Sequence, residues 1–96
     1  MSSDADIEIF VASTCAMSTL LAWITAMVGT LGPPLHGGGQ VHIYWSSSGP
    51  VVVTAGVEEG RYTSVWFHTD TSPWATPLEC ALQAAQDLGC WVEAGV

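Results

Sequence analysis

Cations are almost missing from this chain. It has no lysine, and Arg61 is its one basic residue against nine Asp and Glu, a formal net charge of −8. From Ile9 to Val57 no side chain carries a formal charge. Affinity for nucleic acid comes largely from Lys and Arg displacing counterions from phosphates. One arginine does not supply it, and anionic membranes are disfavoured for the same reason. A basic protein is the macromolecule such a charge attracts, and steering raises its encounter rate. The same charge also keeps a small apolar domain dispersed.

Cysteine is scarce as well. Cys15, Cys80 and Cys90 form an odd set without a C-x-x-C pair, which excludes a disulfide framework and a zinc signature. They are expected as free thiols in a reducing cytoplasm, with pairing of Cys80 and Cys90 left open. Catalytic signatures are missing too. The Gly37-Gly38-Gly39 run follows a helical pattern and has no lysine near it, so it is not a phosphate loop. No G-x-S-x-G elbow is present,. Glu58-Glu59 reads as part of a tight turn, where adjacent carboxylates are solvated. No catalytic residue, cofactor or metal is assigned, and the chain is not expected to be an enzyme.

The acidic start, residues 1–6, reads as a disordered tail and lacks the positive region of a secretory signal,. Ile9 to Leu31 is uncharged and long enough to span a bilayer,. Six Ser and Thr interrupt it, and no Lys or Arg flanks it to set orientation,. A strand followed by a helix explains it better.

What is present is apolar surface: 49% of residues are hydrophobic and 10% charged. That composition argues against disorder, and 96 residues fit one domain,. Ile7 to Ala12 alternates as a strand. A helix is expected from about Cys15 to Leu31, capped by Ser13 or Thr14. Its core stripe is Met17, Leu20, Leu21, Ile24, Met27, Val28 and Leu31. Ser18, Ala22, Trp23, Thr25, Ala26 and Gly29 form its outer side, and Gly32-Pro33-Pro34 stops it. Leu35 to Gln40 reads as a flexible loop. Strands follow at Val41–Ser46, Val51–Val57 and Arg61–Thr69, joined by turns at Ser47–Pro50 and Glu58–Gly60.

Thr76-Pro77-Leu78-Glu79 is a capping box with proline at the first helical position. The helix it starts runs to about Leu88, with Leu78, Ala81, Leu82, Ala85 and Leu88 toward the core. Cys90–Ala94 closes as a short strand. The expected fold is α+β, order β-α-β-β-β-α-β: a mainly antiparallel sheet with two helices on one face, a ferredoxin-like variant.

Two helices on one face leave the other bare. The alternation assigns Phe10, His42, Tyr44, Tyr62, Trp66, His68 and Trp91 to that face, although a one-residue slip reverses any strand. Aromatic patches with few charges mark interfaces. Tyr44, Tyr62, Trp66 and Trp91 are therefore candidate anchors, and Glu58, Glu59 and Asp70 candidate steering charges. Asp4, Asp6, Glu8, Glu58, Glu59 and Asp70 could together imitate a nucleic-acid surface if the fold gathers them.

The leading expectation is a small acidic antagonist of the immunity, antitoxin or phage anti-defence kind, which occludes a basic protein. A second is a homodimer through Ala22, Trp23 and Ala26. A third is a small-molecule or catalytic pocket built on His42 and His68, with Cys15 or Asp70 as possible metal ligands.

Overall fold

A computed structural model of the chain describes residues 6–68 and 71–95. All but Asp6 of the expected N-terminal tail therefore lies outside the described residues, as does Asp70. Among the described residues, six strands and three helices follow in the order β1 (Ile7–Ala12), α1 (Met17–Val28), β2 (Leu35–His36), β3 (Val41–Ser46), β4 (Gly49–Gly56), α2 (Val57–Gly60), β5 (Tyr62–Phe67), α3 (Pro77–Leu88) and β6 (Val92–Ala94). The strands form one sheet in the order β2-β3-β4-β5-β1-β6. Every neighbouring pair is antiparallel. The expected α+β class and antiparallel sheet are present. The order does not establish the ferredoxin-like variant, since β2 is an added strand and β1 lies between β5 and β6.

The alternation of β1 puts Ile7, Ile9 and Val11 wholly inside. Across the ladder they meet Phe67, Val65 and Thr63 of β5, and Phe67 and Val65 meet Val51 and Val53 of β4. Leu20, Trp23 and Ile24 of α1 and Cys80, Ala81 and Ala84 of α3 close over this layer in a single buried cluster. Both long helices thus lie on one face of the sheet, as their number required. No described helix is long and apolar enough to cross a membrane.

Trp23 overturns the expected faces of α1. It is buried, not outward. Its ring stacks on Trp74 at 5.5 Å and meets Phe67 edge-on at 6.5 Å, while its indole N–H donates to Asp87 of α3 at 2.9 Å. A large ring with one polar atom gains most where the atom finds a partner and the rest is covered. Met17, expected in the stripe, is instead exposed. The helix is shorter than expected at both ends. Ala16 occupies its N-cap without a side-chain bond, so neither Ser13 nor Thr14 caps it, and Gly29 ends it at φ 98°.

The capping box on α3 forms, with one change. Thr76 accepts from the Glu79 N–H at 3.2 Å, and the Glu79 carboxylate reaches past Thr76 to the N–H of Ala75. The inner face of α3 is narrower than expected. Small Cys80, Ala81 and Ala84 fill it, and Leu78 and Leu82 are 60% and 62% exposed. Close approach of the helix to the sheet selects small residues there.

The expected loop at Leu35–Gln40 is a hairpin. Leu35 pairs with Ile43 and His36 with His42, and the glycine run turns the chain, with Gly38 and Gly39 at positive φ. The edge strands β2 and β6 are two and three residues long, which limits edge-to-edge pairing with other chains.

Trp23→Ala is expected to cost about 3–5 kcal/mol in urea unfolding. Leu78→Ala, on the outer side of α3, is expected to cost less than about 0.5 kcal/mol. Similar losses for both would show that the two side chains are equally buried.

Candidate functional site

The sheet face opposite the long helices carries two rows of side chains across the strands. One row runs Leu35, Ile43, Val52, Trp66, Glu8. The other runs Val41, Thr54, Ser64, Phe10, Glu93. Trp45 and Pro50 extend the face at one end and Tyr62 at the other. Apolar groups therefore gather on β2–β5, and the carboxylates stand on β1 and β6. Leu35 and Trp45 are each 53% exposed.

Of the expected anchors, Tyr62 and Trp66 lie on this face, as does Phe10, which was also assigned to it and meets Tyr62 edge-on at 6.4 Å. Trp91, 67% exposed, joins them beside β6. Tyr44 does not. It pairs with buried Val51 and packs against the core cluster, so it belongs to the helix side. The whole of β3 is reversed relative to the expectation. His42 opposes Val53 on the helix side, and Val41, Ile43 and Trp45 take the bare face. Both alternations of Val41–Ser46 are apolar enough for either side, and β3 lies toward the sheet edge, where either can be accommodated.

His42 and His68 are not brought together. His42 meets His36 edge-on at 5.3 Å, while His68 meets Trp66 on the other side of the sheet. Among the described residues no group of three His, Cys, Asp or Glu could hold a metal ion. Asp70, a proposed partner in both the metal and the steering sets, lies outside the described residues.

The acidic end has a defined geometry. Tyr62 O–H and Trp91 Nε1–H both donate to Oε2 of Glu93, at 2.8 and 2.9 Å. Ser64 O–H donates to Oε2 of Glu8 at 2.7 Å. Neutral donors thus hold both carboxylates without themselves cancelling the charge. The Trp91 and Tyr62 donors keep the Glu93 carboxyl below the usual carboxylate range, and the Glu93 acceptor raises the Tyr62 phenol. Phe10, Glu58, Arg61, Tyr62, Glu93 and Ala94 line a cavity of about 340 Å³ here. Two carboxylates and two rings around one opening suit a cationic side chain, by charge and by cation–π attraction. Arg61 at the rim limits the net charge to one excess carboxylate.

The turn that supplies Glu58 is strained. Glu58 and Glu59 have φ of 53° and 60°, between Gly56 at 74° and Gly60 at 87°. Left-handed backbone costs a non-glycine residue roughly 1–2 kcal/mol, and such strain concentrates at functional sites. Glu59→Gly is expected to raise stability by up to about 1 kcal/mol in chemical unfolding; a loss of stability would show that the turn is unstrained.

The Glu93 pair has a pH window. A lowered carboxyl stabilises the fold above the ordinary carboxylate pKa, and that contribution is lost as pH falls through the lowered value. A raised phenol stabilises below the ordinary tyrosine pKa, and that contribution is lost as pH rises through the raised value. Glu93→Gln is expected to bring the Tyr62 titration back down toward ordinary tyrosine, read by ultraviolet difference spectra against Tyr62→Phe. An unchanged midpoint would remove the contact.

Comparison with protein-family models, with curated proteins and with solved structures finds no match for this chain.

Proposed function

We propose that this chain is an acidic protein-binding module that occludes a basic partner with its bare sheet face. One observation carries the reading: an apolar, ring-bearing sheet face lies beside carboxylates that neutral donors hold in place. The division of labour follows from the physics. Trp66, Trp45 and Ile43 offer area that gains by leaving water, and tryptophan is a frequent energetic anchor. Glu8, Glu93, Glu58 and Glu59 attract cations from a distance and raise the encounter rate. The cavity beside Glu93 receives one Lys or Arg side chain of the partner.

Occlusion by a compact acidic domain fits the antagonists of basic enzymes: immunity proteins, antitoxins and phage anti-defence proteins. The cytoplasm is the setting this role assigns, in keeping with three free thiols,. Imitation of nucleic acid draws less support, because the described carboxylates are divided between one end of the sheet, the strained turn and α3. The dimer reading through Ala22, Trp23 and Ala26 loses its tryptophan to the core, and the His42–His68 reading loses its pair.

Affinity capture from the native host, with wild type and Trp66→Ala run side by side, tests the reading. A basic protein retained by wild type and lost from the variant is the expected result. Once a partner is in hand, Glu58→Gln with Glu59→Gln is expected to slow association several-fold at low salt and to flatten its salt dependence. Capture that ignores Trp66, or association rates equal at low salt, would overturn it. Light scattering that finds a stable dimer of the purified chain would replace the partner with a second copy.

A further inference from the structure

In the cavity beside β6, one oxygen of the Glu93 carboxylate is full and the other is open. Tyr62 O–H and Trp91 Nε1–H both end on Oε2, at 2.8 and 2.9 Å. Two donors fill the lone pairs of that oxygen. Oε1 accepts from no described residue. The sheet register builds this arrangement: Glu93 stands opposite Phe10 across one edge of β1, and Tyr62 opposite Ala12 across the other. Phe10 and Tyr62 have their ring planes at 74° and form two walls of a corner. Both rings line the opening together with Glu58, Glu93, Arg61 and Ala94.

We infer that this cavity selects a lysine side chain of the partner, a primary ammonium, over an arginine side chain. The inference rests on the reading of the cavity as the seat of a partner's cation, and adds which cation. A guanidinium gains its advantage from a planar fork that bonds both oxygens of one carboxylate. Glu93 offers one open oxygen, so the second arm of the fork meets an oxygen already filled. An ammonium is a compact charge with three rotatable donors. One N–H goes to Oε1 of Glu93, and the carboxylate of Glu58 adds attraction across the opening. The apolar stem lies against the corner of rings, whose faces attract the charged head. Arg61 repels either cation, which leaves the choice between them to Glu93.

Trp91 makes the selection open to manipulation. Its side chain is 67% exposed, so the fold does not depend on it. Its N–H is one of the two donors that fill Oε2. Phenylalanine at this position keeps a ring and removes the donor, which frees a lone pair on Oε2 and gives a fork two oxygens to bond.

The test titrates Nα-acetyl-lysine N-methylamide, its arginine counterpart and its trimethyl-lysine counterpart into the isotope-labelled full chain at fixed ionic strength. The backbone amides of Glu93 and Ala94 report binding by nuclear magnetic resonance. The lysine compound is expected to bind in the millimolar range, about three-fold tighter than the arginine compound, as suits an exposed ion pair. The trimethyl compound has no N–H to donate and is expected to bind more weakly than lysine. Glu58→Gln is expected to weaken lysine binding about two-fold. Glu59→Gln, on the same turn but outside the cavity lining, is expected to leave it nearly unchanged. Trp91→Phe is expected to narrow the preference for lysine. Arginine bound as tightly as lysine by wild type, or trimethyl-lysine bound more tightly, would overturn the selection and leave a cation-accepting cavity in place. Binding of none of the three would overturn the cavity's role as well, while capture through Trp66 tests the sheet face separately.

Discussion

The indole of Trp23 ties the molecule together. It stacks on Trp74, meets Phe67 of the sheet, and donates to Asp87 on α3. One side chain on α1 thereby touches the sheet, the segment before α3, and α3 itself. Burying a ring this large is favourable only with its N–H satisfied, so the position of α1 over the sheet and the position of α3 beside it are linked. The consequence lies on the other side. With both long helices committed to one face, no described helix covers the opposite one, and its apolar residues are left to solvent or to a partner.

Scarcity of cations shapes that face a second time. In most proteins a surface carboxylate has a Lys or Arg nearby; here hydroxyl and indole donors take that role. Ser64 holds Glu8, and Tyr62 with Trp91 holds Glu93. Neutral donors orient a charge without cancelling it, so the field of the carboxylate persists beyond the surface. The left-handed turn at Glu58 and Glu59 works in the same direction. Glycine would relax it, and the chain keeps two acids there instead.

Legibility differed from element to element. The strand at Ile7–Ala12 stood out because its alternation is strict, and it faces the way the pattern implied. The start of α3 was equally plain, since Thr76, Pro77 and Glu79 each have a local reason to be where they are. Trp23 was misread because helical periodicity ranks aliphatic residues and does not reveal which ring has a carboxylate waiting on another helix. Leu78 and Leu82 were misread for a related reason: the depth of the contact selected Ala and Cys over Leu. The hairpin at Leu35–His36 was hidden in a glycine run, where two residues are too few to show a period. On the bare sheet face, the placement of Phe10, Tyr62 and Trp66 was legible, while that of Ile43 and Trp45 was missed with the phase of β3.

Composition and local pattern alone determined the charge of this protein, the positions of its longer strands and of α3, and the α+β class. Those depend on residue type and on spacings of two to four residues, which a linear text contains. Only the tertiary structure decided which side of β3 turns outward, that Trp23 turns inward, and that Trp91 and Tyr62 meet at Glu93. An alternating strand has two equivalent faces until something packs on one of them. Residues far apart in the chain become neighbours only through the hydrogen bonds of a folded sheet.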